Sequence, residues 1–198
     1  MKTCAVITAA GLSSRMGAFK PTLPIAGRPA ILRLLDTFFS AGVSEAIVVT
    51  GFRQEILQEL LADRPHVTLV HNPAYRTTEM FDSVRTGLAA LPEDCGQVLL
   101  IPADIPLVSA QTVRLVMEAE GDLVFPSFQM RRGHPLKLRP HLVPALLQYS
   151  GEDGLRGALR ALEIPPAYVT VEDSFILRDM DTPADYQALA GVKRDGSL

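Results

Sequence analysis

The sequence predicts an α/β protein in three layers, α/β/α, around a doubly wound, mostly parallel sheet. Short apolar runs without polar alternation recur along the first two thirds of the chain, and helical periodicities lie between them. Continuous apolar runs are typical of strands that are covered on both faces, and strands that alternate with helices are typical of parallel sheets. The 198 residues, 47% of them hydrophobic, are enough for one such domain over 1–198.

The predicted strands and helices follow one another in order. The apolar runs predict strands over 4–8, 46–50, 67–70, 97–101 and 122–126. Helices are predicted between them over 29–41, 53–62, 79–91 and 109–119. The first helix begins at a proline and ends before a glycine, and its predicted apolar stripe is Leu32, Leu35 and Phe39.

The pattern changes after about residue 127. Shorter segments such as "RRGHPLKLRP" and "AYVTVED" suggest further strands and helices, added in an antiparallel direction. The chain closes with "DTPADYQALAG", which predicts a helix with Asp181 or Thr182 as its cap and Pro183 in its first turn. No linker, repeat or low-complexity segment divides the chain.

Charge and cysteine content exclude several classes of protein. The formal net charge is −3, so we expect no nucleic-acid partner, and basic residues must act locally. The two cysteines form neither a disulfide framework nor a metal knuckle, and Cys4 is interpreted as a core residue. No run approaches the roughly 20 apolar residues of a membrane span, and the short apolar start is not interpreted as a signal peptide. We therefore expect a cytoplasmic protein without a membrane partner.

The loop "TAAGLSSRMGAFK" leaves the first predicted strand at its carboxyl end, the edge at which open α/β sheets bind ligands. Ala9, Ala10 and Gly11 leave the backbone N–H groups accessible, and such groups form an anion-binding concavity. Arg15 and Lys20 add a forked cation and a point charge, which together suit a polyphosphate. Neither the Walker spacing nor the dinucleotide fingerprint is present. The alternative is a flexible connector whose cations are solvated.

A carboxylate is predicted to face this loop. The segment "VLLIPADIPLV" places Asp104 just beyond the fourth predicted strand, between two prolines that stiffen the turn. By the usual crossover rules the first and fourth strands are neighbours, so Asp104 would lie opposite Gly11. A carboxylate facing a polyphosphate is repulsive unless Mg²⁺ lies between them. The sequence therefore predicts a Mg²⁺ site at Asp104, with a helix cap or turn former as the alternative.

Five segments together resemble the MobA-like nucleotidyltransferases, and among these the molybdenum cofactor cytidylyltransferases. They are "AAGLSSRMGAFK", "PADIPLV", "SVRTGL", "GHP" and "DMDTPADY", and the resemblance runs from residue 4 to about residue 190. It implies a Rossmann-like fold of the nucleotide-diphospho-sugar transferase type. It also implies transfer of a nucleotidyl group from a nucleoside triphosphate to a phosphorylated acceptor, with release of pyrophosphate.

The resemblance also implies roles for the residues of the loop. The Ala-Ala-Gly form, where guanylyltransferase relatives have Gly-Gly, favours CTP over GTP. The acceptor phosphate is already an anion, so the chemistry needs alignment and charge neutralisation rather than a strong general base. The resemblance implies that Arg15, Lys20 and Asp104 are catalytic. It implies that the nucleotide is bound by Ala9, Ala10 and Gly11 together with Arg15 and Lys20.

Further positions are implied by the same resemblance. Asn72 and Ser83 would lie near the base and ribose of the nucleotide, and Asp179 would be a second Mg²⁺ ligand. We interpret Asp181 as the cap of the last helix. Glu79 stands where relatives often have glycine. A carboxylate there could alter the base pocket or cap the third helix, and we favour the cap because acids suit a first helical turn.

The segment "RRGHPLKL" resembles the acceptor segment of the family. Arg132, Gly133 and His134 are therefore predicted to bind the acceptor, and Arg131 and Lys137 would complete a local cationic cluster. Such a cluster suits an anionic acceptor in an acidic protein. The alternative is a solvated strand edge that carries charge.

The leading hypothesis is a Mg²⁺-dependent cytidylyltransferase that joins CMP to molybdopterin. Its product would pass to a molybdenum hydroxylase or to the maturation chaperone of such an enzyme. The alternatives are an enzyme that uses GTP or a sugar or polyol phosphate, and a non-catalytic nucleotide-binding maturation factor. Retention of Arg15, Lys20 and Asp104 together favours the enzyme, and the missing Walker sequence disfavours a P-loop kinase.

Overall fold

The central sheet is mixed but mostly parallel in the computed structural model, which describes residues 1–192. Eight strands of this part form one sheet in the order β10-β7-β9-β6-β1-β4-β5, with β8 paired to β7, whereas β2 and β3 form a separate hairpin. Only β8 and β9 run antiparallel to their neighbours in this sheet. The strands are β1 (Lys2–Ala9), β2 (Pro24–Ile25), β3 (Arg28–Pro29), β4 (Glu45–Thr50), β5 (Val67–His71), β6 (Cys95–Pro102), β7 (Leu123–Phe128), β8 (Arg131–Arg132), β9 (Leu136–Leu138) and β10 (Ala167–Thr170).

Helices cover both faces of this sheet. They are α1 (Ala30–Ser40), α2 (Gln54–Leu61), α3 (Met80–Ala89), α4 (Ala110–Glu118), α5 (Val143–Gln148), α6 (Gly154–Ala161) and α7 (Pro183–Ala190). Side chains of α1, α2 and α4 pack with Ala5 and Ile7 on one face, and those of α3, α5 and α6 pack with Cys4 and Val6 on the other. Successive side chains of β1 point to opposite faces and both faces are covered, so the central residues of this strand, 4–7, are all apolar. The predicted three-layer architecture is confirmed.

The elements predicted from periodicity agree closely with the structure. All five predicted strands and all four predicted internal helices are present, with ends that differ by at most two residues. The predicted neighbours, β1 and β6, pair in parallel from Thr3 opposite Gln97 to Thr8 opposite Pro102. The change after residue 127 corresponds to β8 and β9, and β9 is inserted antiparallel between β6 and β7. No helix in residues 1–192 has the length and apolar character needed to cross a bilayer.

The predicted apolar stripe of α1 is wrong by about one position. Leu32 and Phe39 are only partly buried, although Leu35 is completely buried as expected. Apolar residues occupy most of this helix, so periodicity alone does not determine which of them lie at the centre of the buried face. Packing against the sheet determines this. The buried positions are Ala30, Ile31, Leu34, Leu35 and Phe38.

The caps of two helices determine which acidic side chains remain available to bind other groups. Glu79 caps α3 in a reciprocal pair with Asp82, as predicted. At α7 the cap is Thr182, whose hydroxyl accepts from the Asp185 N–H while the Asp185 carboxylate accepts from the Thr182 N–H. The interpretation of Asp181 as this cap is wrong, because an acid at the third helical position selects the residue three before it. The carboxylate of Asp181 therefore has other partners.

Candidate functional site

The loop after β1 is fixed where it begins. Ala9 and Ala10 are buried, and the Phe52 N–H donates to the Ala10 carbonyl at 3.3 Å. A Cβ atom on Gly51 would lie 2.6 Å from that same oxygen, so glycine is required where the end of β4 meets the loop. A Cβ atom on Gly11, by contrast, would have no atom of the described residues within 4 Å. The start of the loop is therefore packed against the end of β4, whereas Gly11 faces open space.

A tight turn then brings two cations over the cleft. The N–H groups of Met16 and Gly17 both donate to the Ser13 carbonyl at 3.1 Å. The Ser13 hydroxyl accepts from the Lys20 N–H at 3.3 Å. Ser13 and Gly17 adopt φ angles of 54° and 70°, which is the left-handed geometry that reverses the chain here. Both Arg15 and Lys20 border the cleft as a result.

The segment around Asp179 is held against this loop. The Ala103 N–H donates to the Thr8 carbonyl at 2.9 Å, which joins the ends of β6 and β1. The Met180 N–H donates to the Asp104 carbonyl, also at 2.9 Å. Met180 is completely buried and shares a small apolar cluster with Met16 of the loop. This cluster explains why residues so distant in sequence meet at one edge of the sheet.

Two cations and two carboxylates form a continuous ion-pair chain in this cleft. The ammonium of Lys20 lies 3.2 Å from Oδ2 of Asp104 and 2.6 Å from Oδ1 of Asp181. The second carboxylate oxygen of Asp181 lies 2.6 Å from Nη2 of Arg15. The Lys20 side chain is only 14% exposed, whereas that of Arg15 is 69% exposed. Asp181 therefore bridges the two cations that the sequence assigns to phosphate binding.

The charges of the cleft shift one another's pKa values. Burial lowers the pKa of Lys20, but the hydrogen bonds and charges of Asp181 and Asp104 outweigh it, and the net shift is upward. The hydrogen bond from Lys20 lowers the pKa of Asp181 and outweighs burial. Burial raises the pKa of Asp179, and the negative charges of Asp181 and Asp104 raise it further. Asp179 thus lies close to other carboxylates, whereas the charge of Asp181 is balanced by Lys20 and Arg15.

One cleft of about 540 Å³ collects these groups at the carboxyl edge of the sheet. This volume lies in the range of small-molecule sites. Asn72, Arg132 and Gly133 are not among its lining residues. The predicted site residues that do line it are Ala9, Ala10, Gly11, Arg15, Lys20, Ser83, Asp104, His134 and Asp179.

Asn72 acts behind the cleft rather than within it. Its side chain is buried and donates to the hydroxyls of Thr78 and Ser83, at 3.2 and 3.1 Å. Its amide oxygen accepts from the Ala74 N–H at 3.0 Å. Ser83 is oriented by this network and borders the cleft. The geometry makes Asn72 a positioning residue for the segment between β5 and α3.

The cationic cluster predicted around residues 131–137 does not form. Lys137 is completely buried, and its ammonium donates to the Ala119 carbonyl just after α4. Arg132 is exposed, and its guanidinium lies over the Phe125 ring, 5.2 Å from the ring centroid. A Cβ atom on Gly133 would lie 2.5 Å from the Ile176 carbonyl oxygen, so this glycine serves chain packing. The prediction fails because alternation along the extended chain sends neighbouring side chains to opposite faces.

His134 is the residue of this segment that reaches the cleft. Burial lowers the pKa of its imidazole, against the raising effects of a backbone hydrogen bond with Leu100 and of the Asp179 charge. The ring is therefore neutral at pH 7 and is not the cation that the sequence suggested. Its Nδ1 is buried without a hydrogen-bond partner among the residues that the structure describes. A neutral imidazole offers a ligand hydrogen bonding rather than charge.

The donor set of the cleft fits a hard cation that shares its coordination with phosphate. Asp104, Asp179 and Asp181 supply carboxylate oxygens, the ligand type that Mg²⁺ prefers. Within residues 1–192, no three His, Cys, Asp or Glu side chains are arranged to hold a metal by themselves. Mg²⁺ commonly takes only one or two protein carboxylates and completes its shell with phosphate oxygens and water. Burial and the charges of Asp181 and Asp104 raise the pKa of Asp179, and a cation bound there would relieve the repulsion between these carboxylates.

Sequence reasoning missed several residues that border the cleft. Asp181 is the most consequential of them, because it contacts both Arg15 and Lys20. The spacing of two carboxylates in "DMD" was an available signal, since alternate residues of an extended segment share one face. The other missed residues carry no comparable signal and include Tyr75, Thr78 and Met80.

The fold and this cleft define an α/β protein with a small-molecule site at the carboxyl edge of its sheet, and comparison with known proteins identifies its family. The family model of the MobA-like NTP transferase domain matches residues 5–166, and the chain belongs to this family. The protein is a nucleotidyltransferase. It is 32% identical over 187 residues to the molybdenum cofactor cytidylyltransferase of Escherichia coli (strain K12), covering 91% of this chain and 92% of that protein.

Solved structures agree with this assignment. The chain resembles Rv0371c of Mycobacterium tuberculosis H37Rv with a TM-score of 0.82 and 23% identity, covering 96% of this chain and 98% of that one. It also resembles a nucleotidyl transferase from Methanothermobacter thermautotroptrophicus, with a TM-score of 0.80, 25% identity and 96% coverage of both chains. The predicted resemblance and fold type are confirmed.

Proposed function

We propose that this nucleotidyltransferase transfers CMP from CTP to the terminal phosphate of molybdopterin cofactor and releases pyrophosphate. The observation that carries the proposal is the similarity to the molybdenum cofactor cytidylyltransferase of Escherichia coli over nearly the full length of both chains. The product would pass to a molybdenum hydroxylase or to its maturation chaperone.

The geometry of the cleft supports a role for each group. Ala9, Ala10 and Gly11 would form the floor on which the nucleotide lies, because Gly11 leaves open space in front of the loop. Arg15 and Lys20 would bind the triphosphate and stabilise the departing pyrophosphate. A phosphate acceptor is already anionic, so alignment and charge neutralisation suffice for the reaction.

Asp104 and Asp179 would hold Mg²⁺ between the nucleotide and the acceptor. The ion supplies positive charge that lets the two phosphates approach each other. Asp104 lies two residues after the end of β6, and its carbonyl accepts a hydrogen bond from the Met180 N–H, which holds the segment of Asp179 beside it. Burial and the neighbouring negative charges together raise the pKa of Asp179, and this supports its place in the pair.

His134 would bind the acceptor through a hydrogen bond. Its neutral ring borders the cleft and has an unpartnered nitrogen, so it suits a polar group of the acceptor better than the phosphate itself. Met80, 59% exposed, provides an apolar surface nearby.

The decisive experiment measures pyrophosphate release with each of the four nucleoside triphosphates, with and without molybdenum cofactor. The proposal expects release only with the cofactor and Mg²⁺, fastest with CTP. Asp122→Asn, a change at an exposed carboxylate before β7 and away from the cleft, is a matched control for Asp104→Asn. Release with GTP in preference to CTP would contradict the cytidylyl assignment, and release with a sugar or polyol phosphate alone would contradict the acceptor.

A further inference from the structure

The turn between β7 and β8 is built from residues that do not suit its backbone. Phe128 pairs with Arg131, so only Gln129 and Met130 form the turn. Their φ angles are 48° and 61°, a left-handed geometry that two-residue turns usually fill with glycine or asparagine. Unfavourable backbone geometry of this kind is concentrated at functional sites. These two side chains are therefore not explained by chain reversal alone.

The side chain of Met130 is almost entirely in solvent. It is 97% exposed, more than any other large hydrophobic side chain in the part of the chain that the structure describes. An apolar side chain in this position contributes free energy only when another molecule covers it. Methionine adapts its shape to irregular apolar pockets and is common on protein-binding surfaces. The tip of the turn thus has the character of an anchor for a partner.

Two exposed cations follow this methionine. Neither Arg131 nor Arg132 forms an ion pair with a carboxylate of residues 1–192, and neither lines the cleft to which the sequence assigned them. The guanidinium of Arg132 lies over the Phe125 ring, and that ring stacks on Tyr168 with 6.1 Å between the centroids. Tyr168 is 55% exposed on the edge strand β10. The cationic and apolar groups therefore continue from the turn to the edge of the sheet.

This turn lies at the same edge of the sheet as the cleft. β7 is antiparallel to β9, which is itself antiparallel to β6, so β6 and β7 end at one edge. After β8, the Gly133 N–H donates to the Pro126 carbonyl at 2.9 Å and the His134 N–H donates to the Ile176 carbonyl at 3.1 Å. His134 then borders the cleft. The turn is thus fixed beside the wall that the proposed function assigns to the acceptor.

We propose that Met130, Arg131, Arg132 and Tyr168 form a docking surface for a molybdenum hydroxylase, which would present an acidic face with an apolar pocket for Met130. Arginine binds carboxylates through its forked donors, and Met, Arg and Tyr are enriched at protein interfaces. A local pair of cations on a chain of net charge −3 orients a partner of opposite charge. The identity of the partner rests on the proposed function, whereas the surface rests on the geometry described above.

The position and chemistry of the docking surface suit a protein better than a membrane. One apolar side chain is too little to anchor a protein in a bilayer. A hydroxylase bound beside His134 would take up the product where it leaves the cleft, without its release into solution.

The test measures binding of the full chain to the molybdenum hydroxylase of the same organism, purified without its cofactor, by biolayer interferometry. The double variant Arg131→Glu, Arg132→Glu should weaken binding by about 10-fold or more, because like charges would then face each other. Arg114→Glu reverses the charge of an exposed arginine on α4, which packs on the opposite face of the sheet, and it should leave binding unchanged. Pyrophosphate release with free cofactor should be unchanged in every variant, since none of these side chains lines the cleft.

Met130→Gly separates docking from the stability of the turn. Glycine adopts a positive φ readily, so Tm should stay close to that of the wild type. Loss of the apolar side chain should nevertheless weaken binding of the hydroxylase by about 10-fold, as for an anchor at the centre of an interface. A turn with a purely structural role predicts unchanged binding instead.

Each outcome has a distinct meaning. Wild-type affinity in the double variant or in Met130→Gly would overturn the docking surface. A wild type that releases pyrophosphate but does not bind the hydroxylase would also overturn it, as would substitutions that change only self-association in sedimentation velocity. If the hydroxylase binds the wild type and not the variants, while the wild type releases no pyrophosphate with the cofactor, the proposed function fails and the docking surface stands.

Discussion

Gly51 packs behind the loop that follows β1, whereas Gly11 belongs to that loop and faces the cleft, so alanine substitutions at the two positions should differ in their effect on stability. At Gly51 a Cβ atom would lie 2.6 Å from the Ala10 carbonyl oxygen, 2.9 Å from the Ala10 Cβ and 2.7 Å from the Tyr75 Cβ. These atoms belong to backbone or are bonded directly to it, so they cannot rotate away. The closest of them would have to move by roughly 0.8 Å to reach ordinary van der Waals contact.

The size of the Gly51→Ala effect follows from this crowding. Overpacking of a well-packed region costs about 1–3 kcal/mol. For a chain of this length each kcal/mol lowers Tm by about 2–4 °C, so we expect a decrease of about 2–12 °C. Binding of nucleotide should weaken as well, because the displaced carbonyl belongs to the loop itself.

Gly11→Ala should separate binding from stability. Its new methyl group would lie more than 4 Å from every atom in the part of the chain that the structure describes, and it would project into the cleft. We therefore expect a change in stability within about 0.5 kcal/mol, as for an ordinary surface substitution, together with a clear loss of affinity for Mg²⁺-CTP. Thermal unfolding followed by circular dichroism and titration calorimetry measure the two quantities on the same samples.

Gly191→Ala is the matched control, because a Cβ atom there also has no neighbour within 4 Å among residues 1–192 and the residue does not line the cleft. It should change neither Tm nor affinity. The reasoning is refuted if Gly51→Ala unfolds at the wild-type temperature, or if Gly11→Ala binds Mg²⁺-CTP as tightly as the wild type.

Asp104→Asn should nearly abolish pyrophosphate release while Tm stays close to that of the wild type, because an amide cannot replace the carboxylate charge at Mg²⁺; near-normal rates at saturating Mg²⁺ would remove Asp104 from the mechanism. Lys20→Ala should lower kcat more than it weakens CTP binding in steady-state assays, and an effect confined to KM would indicate uniform ground-state binding instead. The wild type should prefer CTP over GTP by about 10- to 200-fold in competition, and the Ala9→Gly, Ala10→Gly double variant should shift toward GTP; a wild-type preference for GTP would contradict this. Because the hydrogen bond from Lys20 lowers the pKa of Asp181 below 3.8, its stabilising effect is fully present above about pH 4 and is lost as the pH falls through the lowered pKa. The difference in Tm between the wild type and Asp181→Asn should therefore shrink as the pH falls from about 4 through the lowered pKa, and a constant difference over this range would exclude the ion pair as its cause.

Local patterns in the sequence determined the layers and the edge at which the site lies. Apolar runs and helical periodicity are properties of neighbouring residues, so they located five strands and four internal helices to within two residues. Parallel pairing then places strand ends together, and the Gly11 loop and Asp104 followed from where β1 and β6 end. Glu79 followed from capping chemistry, which is equally local.

Tertiary structure alone decided the partners of the charged groups. Asp181 pairs with Lys20 across 161 positions of sequence, and the apolar cluster around Met16 and Met180 makes that pairing possible. Lys137 is buried beside α4, and His134 is neutral, because β9 is inserted between β6 and β7. Charge, burial and pKa depend on which distant segments pack together, and this information is not contained in the spacing of residues along the chain.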